Sequence, residues 1–265
     1  MIDIHCHIVY GVDDGSYSKA ESLRMAQIAV HSGVTDIIAT PHSIPGMFDN
    51  FAGEELDAAF GRLEKLIADN GLDERLRVHR GMEAFANDDT LDRLENGQLL
   101  TLAGTDHLLI ECEFGEDPEY FGGILLRLRR RGIRPVIAHP ERYYFAQDDP
   151  KFLLDYVDMG CALQLDSGSV TGMFGHRSRR TALELLDIGA VQLIGSDAHD
   201  SESRTPDMRE AADLIANEFS HRYAELIFDV NPARLLKNRR LLFPGDESEG
   251  KRRDPFMTDE EFWGV

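Results

Sequence analysis

Cysteine is scarce in this chain of 265 residues. Only Cys6, Cys112 and Cys161 occur, an odd number without any C-x-x-C spacing. Neither a disulfide framework nor a zinc site built from thiolates is therefore expected, and the three cysteines should be reduced.

The loop of cysteine-dependent phosphatases is missing as well. A C-x5-R loop requires an arginine six residues after the thiolate, and those positions hold Val12, Pro118 and Ser167. Any phosphate chemistry in this chain must therefore use another route.

Long apolar runs are also absent. No stretch of about 18 apolar residues occurs, so we expect no membrane span and no direct membrane insertion. The opening residues, which include Asp3, His5 and His7, lack the basic start and apolar core of a signal peptide. We therefore expect a cytoplasmic protein.

Basic residues are few relative to acidic ones. The sequence has 28 lysines and arginines against 48 aspartates and glutamates, a formal net charge of -20. Because nucleic-acid phosphates are bound by basic side chains, a nucleic-acid partner is not expected. Two local arginine clusters, within 127–131 and 177–180, fit either solvated helix faces or a docking patch for an acidic or phosphorylated partner.

Apolar, β-branched runs alternate with segments of helical periodicity through most of the chain. Strands are predicted at 2–5, 34–39, 76–82, 107–112, 133–138, 161–166 and 190–195. Helices are predicted from the capping pattern at Ser18 to near Gly33, and at 53–69, 119–131, 149–159, 176–188 and 206–219. This alternation indicates an α/β fold with parallel strands joined by helices, closed as a barrel or open as a doubly wound sheet.

The length suits one large domain followed by a tail. Barrels of alternating strands and helices commonly need about 250 residues, and we predict a single domain at residues 1–245. Residues 246–265 break the pattern, with seven acidic residues, three basic residues and Phe262-Trp263 near the end. A flexible acidic tail is the default prediction, and docking of its aromatic residues is the alternative.

Potential metal ligands stand at the ends of six of the seven predicted strands. His5 and His7 form an H-x-H pair whose imidazoles share one face, because side chains alternate along a strand. The full set at the strand ends is His5, His7, His42, Glu83, Glu111, His139, Asp197 and His199. In α/β barrels the active site lies at the C-terminal ends of the strands, so these side chains should converge.

Taken together, these residues favour a metal centre. Each one alone could be a hydrogen-bonded rim residue or a turn former. Several carboxylates without cations would repel one another and their pKa values would rise, a cost that metal ions remove. Imidazole and carboxylate ligands without thiolate fit Mn2+, Fe2+ or Zn2+. With Asp14 the candidates number nine, which exceeds what one ion can use, so two or three ions with a bridging carboxylate are expected.

Several of these segments resemble motifs of the PHP superfamily of metallophosphoesterases. They are His5-x-His7, Thr40-Pro41-His42, Ala138-His139 and Ser196-Asp197-Ala198-His199. The opening residues 1–15 and the segment His139-Pro140-Glu141-Arg142-Tyr143 resemble the capsule-operon type of manganese-dependent protein-tyrosine phosphatase. The similarity covers about residues 1–240. It implies a distorted (β/α)7 TIM-like barrel, the PHP fold, with a trinuclear site at the C-terminal face of its strands.

The resemblance also implies which residues share an ion. The first metal would be held by His5, His7, Glu83 and Asp197, the second by Glu83, Glu111 and His139, and the third by Asp14, His42 and His199. Cys6 replaces the serine of the family's H-S-H opening and is expected to be a buried spectator. Glu113, two residues beyond Glu111, is an alternative ligand.

Arg142 and Arg204 are implied as phosphate-binding residues, since guanidinium offers paired donors that suit phosphate oxygens. The implied reaction is hydrolysis of phosphotyrosine on a protein by metal-activated hydroxide, without a phosphoenzyme. The implied partner is a bacterial tyrosine autokinase that controls capsular or exopolysaccharide synthesis, and an oligomeric state is possible.

Other functions stay open on the sequence. The same metal core would suit a PHP phosphatase for a small phosphomonoester such as histidinol phosphate. An amidohydrolase-like enzyme is a more distant alternative, because it usually requires a carbamylated lysine at a strand end and no predicted strand ends in lysine. A binding module that keeps its metal for structure is the alternative without catalysis.

Overall fold

A ring of parallel strands forms the centre of the structure, a computed structural model that describes residues 1–246. The strands are β1 (Ile2–Cys6), β2 (Asp36–Ala39), β3 (His42–Ser43), β4 (Arg77–Arg80), β5 (Glu83–Phe85), β6 (His107–Glu111), β7 (Arg134–Ala138), β8 (Ala162–Asp166) and β9 (Leu193–Gly195). One sheet has the order β1-β2-β4 and the other the order β3-β5-β6-β7-β8-β9. Apart from Asp246, the predicted tail at 246–265 lies outside the described residues.

Two positions in the ring are each occupied by an interrupted strand. β2 continues into β3 beyond Thr40-Pro41, and β4 continues into β5 beyond Gly81-Met82. Backbone hydrogen bonds carry the ladder across the interruption, since Gly81 N donates to Ala39 O at 3.0 Å and Glu83 N donates to Pro41 O at 3.1 Å. The nine short strands therefore occupy seven positions in the ring.

The ring closes between the last strand and the first. Cys6 pairs with Ala198 as a parallel bridge. Asp197 N donates to His5 O at 2.9 Å, and His7 N donates to Ala198 O at 2.9 Å. The prediction of a distorted seven-stranded barrel is confirmed, and the open doubly wound sheet is excluded.

Helices follow most strands and cover the outside of the barrel. They are α1 (Lys19–His31), α2 (Glu54–Asp69), α3 (Thr90–Glu95), α4 (Pro118–Arg130), α5 (Tyr144–Asp148), α6 (Leu153–Asp158), α7 (Ser167–Thr171), α8 (Gly175–Asp187), α9 (Arg209–Glu218), α10 (His221–Glu225) and α11 (Asn231–Leu235). Short 3-10 helices lie at Leu102–Gly104, Pro140–Arg142 and Pro150–Phe152, and a π-helix at Leu226–Val230. Every helix predicted from the sequence is present, with ends that differ by a few residues.

Two strand predictions need correction. The strand predicted at 76–82 ends at Arg80, and Gly81 follows it at a point where a Cβ would lie 2.9 Å from the Ile38 side chain. The strand predicted at 190–195 begins only at Leu193. Before it, the side-chain Oε1 of Gln192 accepts from Leu163 N at 2.9 Å and replaces a backbone carbonyl of the ladder.

The interior of the barrel is apolar at one end and polar at the other. On β8, Leu163 and Leu165 belong to the large apolar core, whereas Ala162 belongs to a second, smaller cluster. By strand alternation, Gln164 and Asp166 share the face of Ala162. Polar side chains thus gather inside the C-terminal end of the barrel, above a small apolar plug.

Among the described residues, no helix is both long enough and apolar enough to cross a membrane.

Candidate metal centre

All nine predicted ligands converge at the C-terminal end of the barrel. Their positions are His5 on β1, His7 and Asp14 in the β1–α1 connection, His42 on β3, Glu83 on β5, Glu111 on β6, His139 after β7, and Asp197 and His199 after β9. Glu83 lies at the centre and contacts four of the histidines, His5, His7, His42 and His139. Glu111 joins through His42, Asp197 through His5, and His199 through Asp197. Asp14 joins the set through His42 and His199.

His5 and His7 form the innermost group with two carboxylates. His5 Nε2 and His7 Nε2 lie 3.1 Å apart, and Glu83 Oε2 lies 3.2 Å from each of them. Asp197 Oδ1 lies 3.4 Å from His5 Nε2 and 3.5 Å from His7 Nε2. Ligand atoms of a tetrahedral ion at about 2.1 Å are about 3.4 Å apart, so these separations fit a divalent cation.

A second group surrounds the carboxylates of Glu83 and Glu111. His42 Nδ1 lies 3.0 Å from Glu83 Oε2 and 3.0 Å from Glu111 Oε1. His139 Nε2 lies 2.9 Å from Glu83 Oε1 and 3.7 Å from Glu111 Oε2. Glu83 thus faces two groups with its two oxygens, as a bridging carboxylate would.

A third group lies nearest to solvent. Asp14 Oδ1 lies 3.5 Å from His42 Nε2 and 3.6 Å from His199 Nε2. The ligand atoms of these three residues and of His7 all lie within 4.8 Å of one another. The resemblance implied Asp14, His42 and His199 for the third metal, and the geometry adds His7 to this set. It also places His42 within ligand distance of Glu83 and Glu111, in the second group.

The imidazoles at the centre are oriented by partners on their outer nitrogens. His5 Nδ1 bonds to Gln164 Oε1 at 2.8 Å, His7 Nδ1 to Asp13 Oδ2 at 2.8 Å, and His199 Nδ1 to the Asp197 carbonyl at 2.9 Å. With a proton on each Nδ1, the lone pairs of the Nε2 atoms point into the cluster, the arrangement found for metal-bound histidine.

Four buried atoms of the cluster form no hydrogen bond, although three of them lie close to one another: His42 Nδ1, Glu83 Oε2, Glu111 Oε1 and His139 Nδ1. Buried polar atoms in native structures are nearly always satisfied. Three of the four face one another across the cluster, so a cation there would satisfy them. The donor set, imidazole and carboxylate without thiolate, also fits a divalent metal.

Two candidate ligands have strained backbones. His139 has φ of 36° and Asp197 has φ of 49°. A positive φ is uncommon for residues other than glycine, and such strain often accompanies functional sites. In both cases it turns the side chain into the barrel mouth directly after a strand.

The concentrated negative charge changes the proton affinity of the site. Burial favours neutral imidazole, but the charges of Glu83 and Asp197 outweigh burial and raise the pKa of His5 to about 10. Burial also favours neutral imidazole at His42, but Glu83 and Glu111 outweigh it and raise the pKa of His42 to about 12. A hydrogen bond with His199 lowers the pKa of Asp14 to about 2. Metal ions and protons would compete for these atoms.

Both predicted arginines contact the metal-facing carboxylate of Asp197. Arg142 Nη1 donates to Asp197 Oδ2 at 3.2 Å, and Arg204 Nη2 donates to the same oxygen. Burial opposes the protonated guanidinium, but Asp166 and Asp197 raise the pKa of Arg142. Two cations thus stand directly beside the candidate metal cluster.

The sequence analysis missed three residues that the structure places in the site. Asp13 and Gln164 orient the histidine pair, and only the folded barrel reveals these contacts. Asp166 ends β8 and accepts from Arg142 Nη1 at 3.4 Å. The rule that selected the other strand ends would have found Asp166 too, since it terminates the one strand left without a candidate.

Asp166 also belongs to a buried acidic pair. Its backbone N donates to Glu141 Oε1 at 3.0 Å. Burial and the charge of Asp166 raise the pKa of Glu141 to about 8, and burial and the charge of Asp197 raise the pKa of Asp166 to about 6. These carboxyl groups hold the Arg142 segment against β8.

Burial and contacts decide the roles of Glu113, Cys6 and the two arginine clusters. Glu113 is exposed beyond the end of β6, so Glu111 is the carboxylate that reaches the cluster. Cys6 is fully buried in the apolar core, as expected for a spectator. In the arginine clusters, Arg177 pairs with Asp148 and Arg180 donates to the Gln147 carbonyl, which favours helix-surface roles over a free docking patch.

The fold is shared with hydrolases of low sequence identity. Histidinol phosphate phosphatase from Lactococcus lactis superimposes with a TM-score of 0.53 at 13% identity, covering 86% of this chain and 94% of that one. A beta-aspartyl dipeptidase from Fervidobacterium islandicum gives a TM-score of 0.58 at 15% identity, covering 91% and 74%. The barrel, with its candidate metal cluster at the C-terminal face, therefore shares the TIM-barrel type of fold with these proteins.

The match to one family is far more specific. The family model described as "Capsular polysaccharide synthesis, CpsB/CapC" matches residues 1–237. Tyrosine-protein phosphatase YwqE of Bacillus subtilis is 34% identical over 97% of this chain and 99% of its own length. Tyrosine-protein phosphatase CpsB of Streptococcus pneumoniae is 32% identical over 90% and 99%. The chain belongs to the CpsB/CapC family.

A solved structure supports the same assignment. It comes from crystal structures of YwqE from Bacillus subtilis and CpsB from Streptococcus pneumoniae, described as metal-dependent tyrosine phosphatases. The TM-score is 0.86 at 34% identity, with 92% of this chain and 97% of that chain covered. The resemblance inferred from the motifs is confirmed.

Proposed function

We propose that this chain is a metal-dependent protein-tyrosine phosphatase that hydrolyses phosphotyrosine at the barrel mouth. One observation carries the proposal: a cluster of imidazole and carboxylate ligands lies against two arginines that share the Asp197 carboxylate. The names of the relatives support it as well, since both are tyrosine-protein phosphatases.

The ligand assignment is part of the proposal. We assign two or three divalent ions to the site. Nitrogen and oxygen ligands without thiolate fit Mn2+, Fe2+ or Zn2+, and Mn2+ is preferred because the chain resembles the manganese-dependent phosphatases. The residues that would hold them are His5, His7, Asp14, His42, Glu83, Glu111, His139, Asp197 and His199. Bound ions would supply an activated water as the nucleophile and positive charge for the phosphoryl oxygens.

The protein's own groups then position the substrate. Arg142 and Arg204 donate paired N–H groups to phosphoryl oxygens that point away from the metal ligands. Both side chains are partly exposed, 19% and 26%, so an incoming phosphate can reach them. Gln164 and Asp13 keep the two central imidazoles aimed inward. Because bound metal ions would occupy the imidazoles and carboxylates of the cluster, the proposed reaction uses water as its nucleophile and forms no phosphoenzyme.

The surroundings of the site favour a protein substrate over a small phosphomonoester. Tyr17, Met47 and Tyr144 are 73%, 70% and 57% exposed. Each lies in a connection that follows a strand end with a candidate ligand, so all three are on the same face as the cluster. Exposed aromatic and methionine side chains are typical of surfaces that contact other proteins.

We further propose that the substrate is a bacterial tyrosine autokinase that controls capsular or exopolysaccharide synthesis, in keeping with the family description. No disulfide joins Cys6, Cys112 and Cys161, which suits the reducing cytoplasm as the place of action. We propose residues 1–245 as one catalytic domain.

The test compares two substrates on the purified, Mn2+-loaded chain. Phosphate release from a phosphotyrosine peptide should greatly exceed release from histidinol phosphate. Activity should be abolished in His42→Ala and in His199→Ala, whereas His221→Ala, a change at an exposed histidine on α10, should leave it unchanged. Faster hydrolysis of histidinol phosphate would replace the proposal with the metabolite phosphatase, and unchanged rates in both site variants would refute the metal mechanism.

A further inference from the structure

One aromatic ring supports both phosphate-facing arginines. The guanidinium carbon Cζ of Arg142 lies 4.5 Å from the centre of the Phe174 ring, and that of Arg204 lies 5.3 Å from the same centre. Phe114 also contacts Arg142, with 4.7 Å between Cζ and the ring centre. Arg142 therefore contacts two phenylalanines, and Phe174 contacts both arginines.

We propose that Phe174 is a positioning residue that sets the planes of Arg142 and Arg204 for binding a phosphate dianion. The inference rests on the proposed function, because it assigns phosphate binding to these arginines. Among the described residues, Asp197 is the other side chain that contacts both guanidinium groups. Their common partner, the Oδ2 atom of Asp197, is a single atom and allows each group to rotate about it.

The physical basis is the attraction between a cation and an aromatic face. This attraction strengthens where water is excluded and holds a planar guanidinium against the ring. Arginines fixed in this way lose little freedom when phosphate binds, so the binding energy is retained in the complex. The ring also keeps two positively charged guanidinium groups close together, and a phosphate with two negative charges can bind both.

The turn that carries Phe174 is built to hold the ring in place. It connects α7 to α8, and its glycines Gly172 and Gly175 have φ of 98° and 91°. Met173 N donates to Gly168 O at 2.8 Å, and Gly172 N donates to the same oxygen at 3.0 Å. A Cβ added to Gly168 would lie 2.9 Å from Phe174 Cε2, so the ring packs where that side chain would be.

The test measures the affinity of the Mn2+-loaded protein for inorganic phosphate by isothermal titration calorimetry. Phe174→Leu keeps the bulk but removes the ring face, and Kd should rise about 3- to 30-fold. Phe174→Tyr keeps the face and should bind like the parent. Gly168→Ala displaces the ring without removing it and should weaken binding in the same direction.

Three controls separate positioning from folding. Bound metal by elemental analysis and Tm should be the same in all variants, and Met173→Ala, in the same turn, should bind phosphate like the parent. An unchanged Kd in Phe174→Leu would overturn the inference, as would an equal loss in Phe174→Tyr. If the parent hydrolyses no phosphotyrosine but its phosphate affinity still depends on Phe174, the proposed function fails and the inference stands.

Discussion

Arg142 donates to the Oδ2 atom of Asp197 at 3.2 Å, while the Oδ1 atom of that carboxylate faces the imidazoles of His5 and His7. One side chain thus connects the candidate metal cluster with the candidate phosphate site. The positive φ of Asp197 turns the carboxylate toward both. Because the two halves share a ligand, a change at Asp197 should affect metal binding and phosphate binding together.

Replacing Asp197 with asparagine is therefore expected to be severe. Asp197→Asn keeps the shape but removes the charge that both arginines and the histidine pair face. We expect loss of bound metal and a fall in kcat/KM of more than about 100-fold. Elemental analysis and steady-state rates on a phosphotyrosine peptide measure the two effects. Asp207→Asn, at a carboxylate that pairs with Arg209, is the matched control, and full metal content in Asp197→Asn would contradict the assignment.

The outer contact of His5 should matter for metal affinity. Gln164→Leu removes the acceptor that lies 2.8 Å from His5 Nδ1 and leaves the ring free to rotate. Loss of such an orienting partner typically weakens metal binding by about 10- to 100-fold. Competition with a chelator of known affinity measures the change. Gln98→Leu, at an exposed glutamine, should behave like the parent, and equal affinities in both variants would disprove the orienting role.

Metal removal should destabilise the barrel mouth. Glu83 and Glu111 flank His42, and Asp197 lies beside His5, so without metal ions only protonated imidazoles balance these carboxylates. A ligand present at about 100 times its Kd stabilises a protein by about 2.7 kcal/mol. Tm should therefore fall after treatment with a chelator and recover when Mn2+ is added back. A Tm that does not respond to either step would speak against a cation in the cluster.

Acid stability should depend on a buried carboxylate far from the cluster. Asp36 begins β2 and accepts from Arg77 Nε and Nη2 at 2.7 Å each, and it lies 2.9 Å from His79 Nε2. Burial opposes its ionisation, but the hydrogen bonds from Arg77 and His79 outweigh burial and lower the pKa of Asp36.

A carboxyl group with a lowered pKa in the folded state stabilises the protein above its unfolded pKa of about 3.9. That contribution is lost as the pH falls through the folded pKa. Asp36→Asn should cost about 1–3 kcal/mol at pH 7, and the difference from the parent should shrink below about pH 4. Urea unfolding of both metal-free chains across this range measures it. A difference that is independent of pH would show that the charge of Asp36 does not contribute.

Much of the site could be predicted because barrels follow a simple rule. A residue that ends a parallel strand points into the same mouth as the other strand ends, and this rule brought His5, His42, Glu83 and Glu111 together correctly. The same rule applies to Asp166, which ends β8 and lies beside Arg142 in the same mouth. The interruption of the strand at Gly81 could not be predicted from the sequence, because it depends on how closely Ile38 approaches across the sheet.

By itself, the sequence determined the alternation of strands and helices, the kinds of metal-binding side chain at the strand ends, and the family. Periodicity and residue chemistry are local properties, so both can be read along the chain. Only the tertiary structure decided that the barrel closes between Cys6 and Ala198, that His42 joins Glu83, and that Phe174 supports both arginines. These contacts join residues far apart in the chain, and they depend on ring closure and side-chain rotamers, which no local pattern encodes.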